Sequence, residues 1–459
     1  MKVLLATMQL GRGHTQGTER YVSTLARGLR ARGHAVVALA GDPERRGAAR
    51  RLGEPLDGDD PLLHYPSHGW MSVRGLSPRV LRPLLQNISP DVIHLANPAH
   101  IGAALLEAAR QARIPTVVTV MDFWWLCPKH TLQHYQRGVC DGDVTWQECL
   151  RCIAAGHHRA AVRRLARVPV ARSVVLPLLF FGRAVRSGLA PPEVARWARR
   201  REYLLRVLND VTAVVFPSQA ARRRLEPHLR APARYQIPYG IEPEYFDADR
   251  RARAAAGDHA ARDLGQVTLA YAGALAAHKG VHLILEALHR LGWHATRLRV
   301  AGSGEAVYER RLRALAEGLN VEFLGRIPAA QMPAFYGGID LLIVPSLWPE
   351  NLPIVCLEAH AAGVEVLASR VDGITECIPD AAHLFDVASA ESLAERLSAW
   401  QTGAVVHEPA AVSTAEEMVS RTEQVYREAV VQQPTAAPGP AATPASRELP
   451  QRPVRRAGA

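Results

Sequence analysis

The chain has 459 residues, 48% of them apolar and 22% charged, with a formal net charge of +11. That length allows about three units of ~150 residues, and the composition is globular, neither disordered nor fibrous. Six cysteines are too few for a disulfide scaffold of this size, and the longest apolar run, 174–181, is interrupted by Pro177 and falls short of the ~20 residues that cross a bilayer.

The first apolar run, 2–8, reads as a buried strand. Gly11, Gly13 and Gly17 follow, where glycines let backbone approach a ligand closely. Their spacing is one residue longer than the dinucleotide fingerprint, and a plain flexible turn is the alternative. The polar turn at 11–14 begins before an export-type apolar region is complete, so a cytoplasmic protein is expected. Segment 19–32 places Val22, Leu25 and Leu29 at helical spacing. Further strand-like runs fall at 35–39, 92–95, 116–120 and 213–217, and a second series at 267–272, 297–300, 321–324, 341–345 and 366–369, with helical stretches such as 281–290 and 307–317 between them. Strands alternating with amphipathic helices predict an α/β protein with two doubly wound parallel sheets facing a cleft. The polar stretch 242–265 predicts a boundary near 245, giving units at 1–245 and 246–410. A terminal helix is expected at 411–432 and a disordered Pro/Ala-rich tail at 433–459.

The basic charge is local. Between Arg151 and Arg206 there are thirteen arginines against Glu193 and Glu202, an excess equal to that of the whole chain. Such a stretch suits an anionic membrane surface, where each arginine contributes ~1 kcal/mol. The blander alternative is a pair of solvated helices inserted in the first domain. Few aromatics are interleaved for base stacking, so nucleic acid is not an expected partner.

Just before it, Cys127, Cys140, Cys149 and Cys152 lie within twenty-six residues. In a reducing compartment the cluster fits a structural zinc, an iron–sulfur cluster, or thiols that are unliganded or redox-paired. His130 and His134 are spare ligand candidates, although a polar loop histidine is most often only solvated.

The most informative block is Val344-Pro-Ser-Leu-Trp-Pro-Glu350-Asn351-Leu352-Pro353-Ile354-Val-Cys-Leu-Glu358-Ala359. An apolar strand enters a polar turn and then a helix, with Pro353 expected at its first position. Free amides at that helix N-terminus suit a phosphate, and Glu350 and Glu358 can accept hydrogen bonds from sugar or ribose hydroxyls. A surface helix with two solvated glutamates is the alternative. Lysine occurs only at positions 2, 129 and 279, and Lys279 as a compact ammonium suits a diphosphate.

This block resembles the Glu-x7-Glu signature of family-four (group 1) retaining glycosyltransferases of the GT-B fold. The resemblance extends over most of the chain through Gly17-Thr18-Glu19-Arg20, Gly273-Ala274-Leu275-Ala276-Ala277-His278-Lys279-Gly280, Gly302-Ser303-Gly304-Glu305, Gly325-Arg326 and Pro238-Tyr239-Gly240. It implies two Rossmann-like domains, an acceptor domain first and a donor domain second, and a nucleotide sugar as donor substrate. By motif position, Glu350 would face the transferred sugar and Glu358 the ribose. Amides near Asn351, Leu352 and Ile354 would take the diphosphate opposite Lys279. Gly17, Gly273, Ser303 and Gly304 would line the donor site, Gly325 and Arg326 the base pocket. A subset of the family resembles the segment from Asp122-Phe123-Trp124 to the later cysteines. The implied chemistry needs no catalytic divalent metal, and the acceptor would be a saccharide, a lipid-linked sugar or a small molecule.

Two positions depart from the family pattern. Ala274 stands where an arginine is common, and Met121 stands where a histidine precedes Asp122. Methionine cannot donate a hydrogen bond, so Asp122 or the substrate is expected to serve in its place. A catalytically impaired nucleotide-sugar-binding protein is therefore a second reading. A nicotinamide-dependent dehydrogenase, resting on the glycine loop alone, is a third.

Overall fold

The computed structural model describes residues 1–10, 17–42, 50–55, 61–66, 73, 75–99, 101–136, 138–157, 160–168, 174–186, 191–247, 262–378, 380–404 and 410–432. Gly11, Gly13, most of the boundary stretch 242–265 and the tail 433–459 lie outside the described residues.

Apolar runs too short for helices become strands. The first sheet is built from β1 (Lys2–Thr7), β2 (Ala35–Asp42), β3 (Arg50–Pro55), β4 (Pro61–Pro66), β5 (Val92–Leu95) and β6 (Thr116–Thr119), joined after a two-residue pair β7 (Gln133–His134) and β8 (Gly138–Val139) by β9 (Ala213–Phe216) and β10 (Ala233–Gln236). Its order is β10-β9-β6-β5-β1-β2-β4-β3. The second holds β11 (Thr268–Ala272), β12 (Arg297–Ala301), β13 (Val321–Gly325), β14 (Leu341–Val344), β15 (Glu365–Ser369) and β16 (Leu384–Phe385) in the order β13-β12-β11-β14-β15-β16. Every pairing in the two sheets is parallel except β3 with β4. The expected α/β architecture of two doubly wound, Rossmann-like sheets is what is observed.

In each sheet the chain reverses its direction of winding once, between β1 and β5 in the first and between β11 and β14 in the second. Loops at the carboxyl ends of strands diverge at such points and leave a crevice. The loops after β1, β6, β11 and β14 deliver Gly17, Asp122, Gly273 and Glu350 to the same cleft.

The terminal helix, Ala415–Val431, begins with a capping box between Thr414 and Glu417 and returns to the first sheet. There Val419 lies against Gly28 of the first helix, Gly17–Ala31, so closely that a Cβ at residue 28 would fall 2.5 Å from Val419 Cγ2. His34 Nε2 meets Glu423 at 3.0 Å across the same seam. The apolar run 174–181 is helical, not extended. From Leu176 it belongs to the helix Leu176–Arg186, which packs with Trp146–Ala155 and Ala160–Arg167 around a small core of Ala154, Ala166 and Leu176.

Candidate active site

The cleft encloses about 370 Å³ between the two sheets. Its floor follows from the block around residue 350. β14 ends at Val344, the chain turns through Ser346 and Trp348, and a helix starts at Ile354 with Pro353 as its N-cap, one residue later than the sequence predicts. Ile354 and Val355, as the first helical residues, have amides without an intrahelical acceptor.

Glu350 is 8% exposed and its Oε1 is the focus of three donors. Lys279 Nζ lies at 2.6 Å, Ser346 Oγ at 2.7 Å and Trp348 Nε1 at 2.8 Å. Burial works to raise this carboxyl, but the Lys279 ammonium, aided by the hydroxyl and the indole, holds it below the ordinary carboxylate value. The ammonium also sits 4.8 Å from the centre of the Trp348 ring. Gly280 makes this approach sterically feasible. Its φ is +73°, and a Cβ there would lie 1.9 Å from the Pro345 carbonyl oxygen.

Glu358 is completely buried one helical turn further in. It pairs with Arg20 from the first helix and accepts from Tyr336 Oη at 2.7 Å. Burial dominates here and leaves its carboxyl above the ordinary glutamate value despite both partners. Arg20 also donates to Tyr245 Oη at 2.6 Å and stacks 5.2 Å from that ring. The pair ties the first helix of the N-terminal lobe to the helix Ile354–Ala361. The Gly-Thr-Glu-Arg motif contains Arg20, yet spacing alone gave no reason to connect it with Glu358.

Asp122, at the end of β6, accepts from Asn97 Nδ2 (2.9 Å), the Trp124 amide (2.8 Å) and His130 Nδ1 (2.8 Å). Burial pushes its carboxyl up, but the His130 charge and these hydrogen bonds bring it below the ordinary aspartate value. His130 lines the cleft, so an imidazole stands beside Asp122 although Met121 fills the preceding position. With Nδ1–H donating to the carboxylate, Nε2 can accept or, in the imidazolium, donate. A loop histidine eight residues downstream gives no sequence signal of this kind. Its φ of +66° is unusual for a side-chain-bearing residue and fits a site-imposed conformation.

The Asn351 side chain faces the other lobe. It donates to the carbonyls of Val120 (2.6 Å) and Met121 (2.9 Å) and to Tyr239 Oη (3.2 Å), and accepts from Ser218 Oγ (2.6 Å). Leu352, Ile354, Gly17, Gly273, Ser303 and Arg326 line the cleft, with Ile354 Cδ1 3.2 Å from the Cβ position of Gly17. Gly304 and Gly325 are not on its wall. The Gly304 amide donates to Glu309 Oε1 at 2.7 Å, and the Gly325 carbonyl takes the Gly302 amide at 2.7 Å. Both glycines shape the turns beneath the lining residues. Ala274 lines the cleft, with its carbonyl accepting from Tyr271 Oη at 2.8 Å.

The four clustered cysteines are free thiols. Among the described residues no group of three or more His, Cys, Asp or Glu side chains is arranged to hold a metal ion. Burial pushes the Cys149 thiol up to about 12, and Cys127, Cys152 and Cys140 add to the shift, so the four thiols stand within electrostatic reach of one another.

Two doubly wound sheets with a cleft at both switch points define the GT-B class. Family models agree: the one described as glycosyl transferases group 1 matches residues 258–414, and the one described as Glycosyltransferase Family 4 matches residues 15–142. The chain belongs to the group 1 glycosyltransferases. It is 30% identical over 200 residues to the lipopolysaccharide 1,2-N-acetylglucosaminetransferase of Salmonella typhimurium, covering 40% of this chain and 51% of that one. It is also 30% identical over 227 residues to the GDP-mannose-dependent alpha-(1-6)-phosphatidylinositol monomannoside mannosyltransferase of Mycolicibacterium smegmatis, covering 47% and 57%. The chain thus spans about half the length of these curated relatives. Sucrose-phosphate synthase from Thermosynechococcus elongatus shares the fold with a TM-score of 0.59 at 17% identity, covering 93% of this chain and 98% of that one. Anabaena HepE in complex with UDP and glucose does so with a TM-score of 0.55 at 16% identity and the same coverage.

Proposed function

We propose that this protein transfers a sugar from a nucleotide-sugar donor to a saccharide, lipid-linked or small-molecule acceptor, with retention of anomeric configuration. The observation that supports this most is the Lys279–Glu350 contact beside the N-terminus of the helix Ile354–Ala361. A cation and free amides next to one desolvated carboxylate suit a departing diphosphate next to a sugar. The bond from the sugar C1 to the diphosphate oxygen breaks while the acceptor oxygen bonds to C1 on the same face. The acceptor proton leaves with the diphosphate. In this reading Glu350 orients the sugar, His130 steadied by Asp122 contacts it from the other lobe, and no divalent ion is needed for the step. Residues 246–410 hold most of the donor and residues 1–245 most of the acceptor.

The relative from Mycolicibacterium smegmatis is named for a phosphatidylinositol mannoside, and a lipid-borne acceptor fits one surface of this chain. Val168, Val174, Val175, Leu178 and Leu179 are all exposed, Leu178 by 65%, beside the exposed arginines 163, 164 and 167. Such a surface suits the anionic, cytoplasmic face of a membrane. Among the described residues no helix is long and apolar enough to cross one. Nucleotide-sugar turnover measured in wild type and Glu350→Gln tests the enzymatic reading, and unchanged turnover in the variant would remove Glu350 from the mechanism.

A further inference from the structure

A second cavity, again of about 370 Å³, lies behind the cleft among the arginine-rich helices. Its wall includes Trp146 and Gln147 at the start of the helix Trp146–Ala155, and Trp197, Arg199, Arg200 and Arg201 from the turn between Pro191–Ala198 and Arg200–Asn209. Three N–H donors of these residues are buried without an acceptor among the described residues: Trp197 Nε1, Arg200 Nη1 and Arg201 Nε. Trp197 is 1% and Arg200 6% exposed, so bulk water does not satisfy them. A buried donor left unpaired costs about 1–3 kcal/mol, more when charged, and natural proteins seldom gather three such groups around one void.

The helix adds to the same polarity. Thr145 caps it by accepting from the Glu148 amide, which leaves the Trp146 and Gln147 amides at its positive end without intrahelical acceptors. The local carboxylates are committed elsewhere. Asp143 takes Arg201 Nη1 at 2.7 Å, and Glu148 pairs with Arg151. Asp122 takes Asn97, Trp124 and His130. Among the described residues Glu202 is the one acidic residue on the wall, against three arginines. Arg200 Nη2 donates to the Trp124 carbonyl, and its guanidinium stacks 4.5 Å from the Trp124 ring. Asp122 acts on Arg200 through space, but no carboxylate among the described residues makes a hydrogen bond or ion pair with it.

We propose that this cavity is an anion site, separate from the cleft, that takes a phosphate group, either free or as the ester of an amphiphile. Arg200 supplies its charge, while Trp197, Arg201 and the helix amides supply directed donors. The apolar remainder of the ligand has a place. Phe180 and Phe181 of the helix Leu176–Arg186 pack on Trp197 (4.4 Å between ring centres) and Trp146 (5.8 Å), and the same helix exposes Leu178 and Leu179. Arg200 also bonds the residue whose amide holds Asp122, so occupancy would be felt at the cleft through Trp124.

Isothermal titration of the full chain with inorganic phosphate and with dihexanoyl phosphatidic acid tests this. Lys279→Met removes the cation that faces Glu350 in the cleft, and one phosphate per chain should still bind. Trp197→Phe, which keeps a ring and deletes the donor, and the half-exposed Arg201→Gln should each weaken binding about tenfold, as loss of one charge-assisted hydrogen bond does. Tighter binding of the phosphatidic acid assigns the site to lipid phosphates, and equal binding assigns it to the free ion. Binding lost in Lys279→Met yet unchanged in Trp197→Phe and Arg201→Gln would overturn the proposal, as would the absence of binding by either probe.

Discussion

The Lys279 ammonium lies 2.6 Å from Glu350 Oε1, the same oxygen that receives Ser346 and Trp348. One carboxylate oxygen is therefore saturated by the protein, and no bond to Oε2 is recorded among the described residues. The carboxylate is fixed in place while half of it stays available to a sugar. Glu350→Gln should keep the shape but lose the charge that balances Lys279. A fall in kcat of about 10²–10³ is expected, as for loss of one preorganised polar group at a reacting centre, with circular dichroism confirming an intact fold.

His130 and Asp122 form a pair at 2.8 Å on the opposite wall. His130→Ala should lower kcat by about 10²-fold, in the range of a positioned hydrogen-bonding or proton-carrying side chain, while a donor KM within a few-fold of wild type would show that binding survives. Equal losses in kcat and in unfolding temperature would instead mark the histidine as merely structural.

Carboxyl groups held below their ordinary values stabilise the fold above the unfolded-state pKa and cease to do so as pH falls through the folded-state value. Glu350 and Asp122 are both of this kind. Thermal melts from neutral to acid pH should show stability declining below the ordinary carboxylate range, with a shallower decline in Asp122→Asn.

Glu358 has the opposite sign. Its carboxyl is raised, so it binds protons more tightly folded than unfolded, and its contribution falls as pH rises from the ordinary glutamate value toward the raised one. Arg20→Met removes its countercharge and should cost about 3–5 kcal/mol at neutral pH. The loss should grow as pH rises from the ordinary glutamate value through the raised one. Adding Glu358→Gln to Arg20→Met should restore much of the stability and flatten the pH dependence, as read by denaturant melts.

Exposed Leu178 and Leu179 should enter the interface of anionic vesicles. Replacing both with glutamate should abolish co-sedimentation with phosphatidylglycerol vesicles and leave donor hydrolysis in solution unchanged. Equal sedimentation of the variant would remove this helix from the membrane account.

Buried parallel strands such as Val92–Leu95 and Leu341–Val344 announce themselves as short apolar runs, so the two sheets were legible from sequence. The strands that escaped notice are β3 and β4, which end in prolines and pair at one edge, the two-residue β7, β8 and β16, and β10, Ala-Arg-Tyr-Gln at the other edge. Glu350 and Glu358 were legible because strand, turn and helix N-terminus follow one another locally, and Lys279 because lysine is so rare in the chain. Arg20 and His130 were not, since each reaches the cleft only by folding and belongs to a residue type that is ordinarily solvated. The return of Ala415–Val431 to the first sheet depends on contacts such as Gly28 with Val419, which no local pattern encodes. The anion cavity is equally non-local, since its donors come from two segments about fifty residues apart.

The central claim concerns what Lys279 and Glu350 do together, and release of nucleoside diphosphate from a panel of nucleotide sugars measures it most directly. Wild type should turn over at least one donor, and both Lys279→Met and Glu350→Gln should lose that turnover while remaining folded. A wild type that releases no diphosphate from any donor, or variants as fast as wild type, would contradict the account.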